Sequence, residues 1–178
     1  MIEISVDQQS VDTARNLLVA FPQEIHKAAD AAINRTITKV QTQVSKTIRA
    51  RYVIAAGDIK AALKTKSTRR GEARGMILAT GKTLHFSNFS VSVRKRGPAT
   101  VRVLKAGSRK PVKGLFVHAK KGPLHRTQPA SYPLRIPYGP SVPQMFGNEE
   151  TMKILIPIAE TTLQERFLHE VQYRYGRT

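Results

Sequence analysis

The clearest pattern in this chain is a run in which Ile25, Ala28, Ala29, Ala32, Ile33, Thr36, Ile37, Val40, Val44 and Ile48 recur at three- and four-residue steps. One face of an α-helix has that period, so the spacing predicts an amphipathic helix of about 25 residues, or about 37 Å. Arg35, Lys39, Lys46 and Arg49 fall off the stripe. Pro22 suits the first turn of this helix, where its missing N–H has no intrahelical partner to lose. The stretch from Val53 to Ile59 breaks the pattern around Gly57, and a second short helix is expected from Ala56 or Asp58 to Leu63. Two helices joined by a glycine-containing break also describe a helix-turn-helix DNA reader, but the first helix is far too long for that motif. At the start of the chain, Ile2, Ile4 and Val6 alternate with polar residues and predict a short strand or extended arm. A short helix beginning at Asp7 or Ser10 and running through Val11, Ala14, Leu17 and Leu18 should follow it.

From Lys64 the period shortens to that of strands. Met76-Ile77-Leu78 is apolar, and Leu84, Phe86 and Phe89 recur near Ser and Asn turn residues. Val91 and Val93 alternate with Ser90 and Ser92, as Val101 and Val103 do with Thr100 and Arg102. Two such runs flanking Arg94-Lys95-Arg96-Gly97-Pro98 predict an antiparallel hairpin with a basic tip. Val112, Leu115, Phe116 and Val117 predict a further strand, and Leu134 with Ile136 another. Six prolines between Pro123 and Pro143 predict mostly extended loop or edge structure there. Met152, Leu155, Ile156, Ala159, Leu163, Phe167, Leu168 and Val171 return to helical spacing. Glu149 and Glu150 stand where the helix dipole favours acids, and Pro157 predicts a kink or a split. The reading is α+β: a long N-terminal amphipathic helix, an antiparallel β-sheet with basic loops and a C-terminal helix. It forms one domain, with an arm and short helix over 1–24, a helical segment over 25–63, a basic β region over 64–138 and a C-terminal helical segment over 139–178.

Charge changes this picture. Between Glu72 and Glu149 there is no acidic residue, while 14 of the 76 residues from Ala73 to Asn148 are Lys or Arg. That block carries +14 of the formal +18; the first 72 residues add +5 (12 basic, 7 acidic) and the last 30 give −1 (4 basic, 5 acidic). So lopsided a distribution points to a polyanion or a strongly acidic protein surface as the block's partner. The aromatic residues of the block are Phe86, Phe89, Phe116, Tyr132, Tyr138 and Phe146. Most fall in apolar alternation and read as core, which favours backbone contact over base reading. No apolar run reaches the roughly 20 residues of a membrane span, so no membrane partner is expected.

Candidate chemistry is thin. The chain has no cysteine, which excludes disulfides and cysteine-ligated zinc. No two of His26, His85, His118, His125 and His169 have the i, i+4 spacing of a metalloprotease pair, and none has a carboxylate ligand near it in sequence. A magnesium-dependent nuclease needs converging carboxylates, and the acids cluster at the two ends of the chain. Neither a phosphate-cradling glycine loop nor a nucleophile elbow is present. The expectation is a protein that is not an enzyme and that uses no cofactor or metal.

Ala31-Ala32-Ile33-Asn34-Arg35-Thr36 in the first long helix resembles the Ala-Ile-Asn-Arg signature of phage minor tail protein Z and related tail-completion proteins. The similarity continues through Asp58-Ile59-Lys60-Ala61-Ala62-Leu63, the basic β region, Tyr132-Pro133, Gly139-Pro140-Ser141-Val142-Pro143 and the final helix, over roughly residues 25 to 172. The resemblance implies a structural virion protein of the tail or neck, assembled in the host cytoplasm, that completes the head-proximal end of a tail and helps join it to the head. It implies the tail terminator, the tape-measure protein, neck or connector proteins and DNA in the lumen as neighbours. Together with the acid-free block it leads to a homo-oligomeric ring, with a hexamer as one candidate stoichiometry.

In that ring Arg94, Lys95, Arg96, Arg102, Lys105, Arg109, Lys110, Lys113, Lys120 and Lys121 would face DNA or an acidic partner from the turns of the sheet. Ile33, Asn34, Arg35, Gly139, Pro140, Ser141, Val142 and Pro143 are the residues that the resemblance assigns to assembly. The Gly-Pro-Ser-Val-Pro segment also has a plain physical reading: Pro140 presets a turn, Ser141 caps, and Pro143 enters the first turn of a short helix through Met145 and Phe146. The alternative function is a free, sequence-independent nucleic-acid-binding module. A phosphodiester-cleaving enzyme is the third reading, and it lacks the carboxylates.

Overall fold

The computed structural model describes residues 2–5, 22–69, 72–93, 98–128 and 132–175. In chain order its elements are β1 (Ile2–Ser5), α1 (Pro22–Arg51), α2 (Ala56–Ala62), β2 (Leu63–Lys66), β3 (Arg74–Ala79), β4 (Thr83–His85), a 3-10 turn at Phe86–Asn88, β5 (Ser90–Ser92), β6 (Thr100–Arg102), β7 (Lys110–Pro111), β8 (Leu115–His118), β9 (Gly122–Arg126), β10 (Leu134–Arg135), β11 (Tyr138–Ser141), α3 (Val142–Phe146) and α4 (Glu149–Tyr175). This is an α+β arrangement. The strands form small antiparallel sheets ordered β1-β3-β2, β11-β4, β5-β6-β7 and β10-β9-β8. The short helix expected between Asp7 and Leu18, and the hairpin tip at Arg94 to Arg96, lie outside the described residues.

Helix α1 is the axis of the fold. All ten positions of its predicted stripe are buried, from Ile25 to Ile48. Thr36, the polar member, donates its hydroxyl to the Ala32 carbonyl at 2.8 Å and so enters the core without an unmet donor. Helix α4 packs antiparallel to α1, as three ion contacts along the pair show: Arg51 with Glu150, Arg35 with Glu170, and Glu24 with Arg174. The expected kink or split at Pro157 does not divide α4, which is one helix of 27 residues. Pro157 is exposed, so the Lys153 carbonyl that loses its intrahelical partner can turn to water. Leu155 and Ala159, on either side of it, are buried.

The apolar stripe expected on α4 is only partly the buried one. Its buried positions are Thr151, Leu155, Ala159, Thr162 and Glu170, whereas Ile156 and Leu168 are exposed. Helix α1 meets a face displaced from the one that the hydrophobic spacing marks. Glu170 is therefore a buried carboxylate, held 2.7 Å from Arg35 and 3.7 Å from Arg174. We predict that Arg35→Ala lowers stability by about 1–2 kcal/mol, less than for a fully buried pair, because Arg174 stays beside the carboxylate. Urea titration checks this, and an unchanged midpoint would show that the contact is neutral.

A polar network ties the sheet β1-β3-β2 to α1. The Thr68 amide donates to Asn34 Oδ1 at 3.1 Å, Asn34 Nδ2 donates to the Thr68 carbonyl at 3.4 Å, and the Thr68 hydroxyl donates to Asp30 Oδ1 at 2.7 Å. This pins the β2–β3 connection one helical turn apart on α1. The N-terminal arm forms β1 against β3, with Ile2 opposite Ile77 and Ser5 opposite Arg74. Strand β3 approaches α1 closely at Gly75, where any Cβ would overlap the side chains of Ile33 and Ile37.

The segment rich in proline contains more regular structure than expected. Strand β9 is the middle strand of its sheet, with Pro123 opposite Val117. Strand β10 pairs only with His125 and Arg126, so at Pro123 the second edge has no ladder for a missing N–H to break. Pro140 lies within β11, at the irregular step between Tyr138 and Ser141, rather than in a free turn. Ser141 caps α3 as expected: its hydroxyl accepts from the Gln144 amide at 3.3 Å, and Gln144 Oε1 accepts from the Ser141 amide at 2.8 Å.

Candidate functional site

The acid-free block builds the three sheets β11-β4, β5-β6-β7 and β10-β9-β8. Backbone hydrogen bonds fasten them to the helical frame and to each other. The Val53 amide donates to Val103 and the Lys105 amide to Arg51, each at 2.8 Å, so β6 leaves its sheet along the C-terminal end of α1. The Ala99 amide donates to Leu115 at 3.1 Å and the Val112 amide to Ala99 at 3.2 Å, which joins β5-β6-β7 to β8. The Arg126 amide donates to Gly114 at 2.9 Å. Gly114 has φ +77°, and a Cβ there would strike the Arg126 carbonyl, so the turn before β8 requires glycine.

The predicted basic residues divide by role. Lys105, Lys110, Lys113, Lys120 and Lys121 are exposed, and none has a carboxylate partner among the described residues. Lys113, Lys120 and Lys121 lie at turns, as expected, and Lys105 at a bend. Arg102 and Lys110 lie on strands instead, because Val101 pairs with Lys110 and extends the sheet through both. Two arginines spend their donors inside the region. Arg109 donates to the Ser90 hydroxyl at 2.8 Å and the Ser90 carbonyl at 3.4 Å, and Arg102 donates to the Leu104 and Lys105 carbonyls. They brace the sheet as much as they charge it. Arg94, Lys95 and Arg96 lie outside the described residues.

A search for basic runs passes over Arg126 and Arg135, which are isolated in sequence. Strand pairing places them on neighbouring strands but on opposite faces of the sheet: Leu134 is opposite Arg126 and Arg135 opposite His125. The Arg126 guanidinium lies 4.9 Å from the Phe116 ring centroid, in cation–π contact. The aromatics divide as well. Phe89 and Phe146 are core residues and Phe86 and Phe116 are half-buried, but Tyr132 is 76% and Tyr138 55% exposed. Tyr138 starts β11 at a sheet edge and touches His85 edge-on, which leaves its other face open.

His118 and His125 act in backbone structure. His118 Nδ1 accepts from the Lys120 and Lys121 amides at 3.2 Å, closing the β8–β9 turn, and His125 Nε2 lies 2.9 Å from the Lys113 carbonyl. Among the described residues no group of three or more His, Asp or Glu side chains could hold a metal ion, and no helix is long and apolar enough to cross a membrane.

The residues that resemble a tail-protein motif work inside this chain. Ile33 is fully buried, Asn34 holds Thr68, and Arg35 meets Glu170. A Cβ at Gly139 would come within 2.6 Å of the Phe89 ring, so this glycine lets β11 lie on the core. Pro140 follows in β11, Ser141 caps α3, Val142 is buried and Pro143 sits in the first helical turn. Compared with protein families, curated proteins and solved structures, the chain shows no match.

Proposed function

We propose that this chain is a structural protein of the head-proximal end of a phage tail, a tail-completion or neck protein. It would form a homo-oligomeric ring and turn its basic β region toward DNA or an acidic neighbouring ring. The observation that carries this reading is the set of exposed lysines at 105, 110, 113, 120 and 121, without carboxylate partners among the described residues, on sheets fastened to a rigid helix pair. Like charges gathered this way repel one another, and a polyanion or acidic surface offsets that cost. The sequence order that resembles minor tail protein Z, from Ala31 to the final helix, supports the same assignment and gives the charge a place in a particle. Contacts of this kind are sequence-independent, as passage of a whole genome requires.

Cryo-EM of assembled virions tests the assignment. The expected result is density for this chain between head and tail, with the basic β region toward the lumen or an adjoining ring; its absence from neck and tail would overturn the reading. Exposed Tyr132 and Tyr138 favour a second reading, a free nucleic-acid-binding module, because unburied rings beside cations can stack on bases. Tight binding of the purified monomer to short oligonucleotides, with no association with tails, would favour that module.

A further inference from the structure

Six of the ten large apolar or aromatic side chains exposed among the described residues lie inside the acid-free block: Val93, Leu104, Val117, Tyr132, Ile136 and Tyr138. Part of this surface is a cleft on the sheet β10-β9-β8, lined by Lys121, Leu124, Tyr132, Pro133, Leu134 and Ile136. Register builds its floor. Leu124 and Arg126 project from the same side of β9, Phe116 is opposite Leu124, and Leu134 is opposite Arg126. Leu124 is buried, while Tyr132 and Ile136 rise at the rim with 76% and 51% exposure. The cleft thus joins an apolar floor to a cationic edge at Lys121, with exposed Lys120 beside it in the chain.

Three classes of occupant can be compared. Nucleic acid would use the cations and the tyrosine ring, but phosphates and stacked bases gain little from Ile136, Pro133 and Leu134. A second copy of this chain offers few negative groups: among the residues whose side chains are described, the exposed carboxylates without a partner are Glu72, Glu160 and Glu165. Those three cannot balance a block of 14 cations. An acidic protein segment with apolar side chains satisfies both halves of the surface, since buried interface centres favour apolar and aromatic contact within a polar rim.

We propose that this cleft is a docking site for an acidic segment of a different protein, which seats an apolar side chain against Leu124, Leu134 and Ile136 beside Tyr132. Its carboxylates meet Lys121 and the neighbouring Lys120. This rests on the reading of the basic β region as an assembly surface.

The test uses fluorescence anisotropy with the full chain and three labelled probes. Two are peptides of equal length and equal carboxylate number, one with Leu and Phe between the acids and one with Ser; the third is oligothymidylate. Burying one apolar side chain is worth enough for the Leu/Phe peptide to bind about tenfold more tightly than the Ser peptide. The double variant Tyr132→Ser with Ile136→Ser should erase that preference and leave oligothymidylate binding unchanged. Both positions are exposed, so an unchanged melting temperature accompanies the result. Equal binding of the two peptides to the natural chain, or a preference that survives in the double variant, overturns the proposal. Oligothymidylate binding lost in the variant assigns the cleft to nucleic acid, and self-association abolished by the variant assigns it to a second copy; either overturns it too. Neck density without peptide preference removes this inference alone, while peptide preference without neck density removes the tail assignment and keeps the docking site.

Discussion

Phe146→Ala should lower the unfolding free energy by about 3–5 kcal/mol, a large fraction of the roughly 5–15 kcal/mol that holds an ordinary domain folded. Phe146 is 1% exposed and is the largest fully buried side chain among the described residues. It ends α3, a five-residue helix that could not persist alone and that touches α1, α2, α4, β3 and β11. Removing the ring opens a cavity where these elements meet, and the capping box at Ser141 and Gln144 keeps α3 from moving in to fill it. Urea unfolding should show a lower midpoint with an unchanged slope, since the same surface is exposed on unfolding. Leu168→Ala is the comparison: Leu168 is 61% exposed, and its loss should stay within about 0.5 kcal/mol. Equal effects of the two would mean that α3 is not the junction of the core.

The parts of the fold legible in the sequence are those in which one local rule decides the outcome. The stripe from Ile25 to Ile48 fixes α1 because each of its positions meets the core, and Ser141 with Pro143 fixes the start of α3 through capping chemistry that needs no distant partner. The misses come from partners distant in sequence. Pro123 looks like punctuation until β8 is placed beside it and β10 is seen to stop short. Ile156 and Leu168 look like core until α1 selects a different face of α4, a choice that also buries Glu170 against Arg35.

The candidate site shows the same division. The missing acids are plain in composition, and so are the basic runs. The pairing of β9 with β10, which sends Arg126 and Arg135 to opposite faces of one sheet, leaves no mark in the sequence. Most of the block's aromatics read as core from the sequence, and Tyr132 and Tyr138, on either side of a two-residue strand, are the two that the structure leaves exposed. Asn34 and Arg35 show how a motif that resembles an assembly signature can be fully employed within one subunit, fixing Thr68 and Glu170. An assembly surface is therefore to be sought among groups the subunit itself does not use.

The lysines at 105, 110, 113 and 120 are such groups, and neutralising them should have the largest effect on polyanion binding. Each is exposed with no carboxylate partner among the described residues, so Lys→Gln at all four should leave the fold intact. If they meet phosphates, the plot of log affinity against log salt for a short DNA duplex should flatten by about 3–4, with about a thousandfold loss of affinity near 0.1 M salt. The control removes the same number of charges elsewhere, by Lys→Gln at 39, 46, 60 and 64, which are exposed on α1, α2 and β2. Net charge falls equally in the two variants, so long-range attraction weakens equally, and only the first should lose the steep salt dependence. Matching losses in both would show that affinity follows total charge and would remove the special role of the acid-free block. A flattened slope confined to the first variant would mean that fixed lysines on a braced sheet, rather than a diffuse positive field, hold the polyanion.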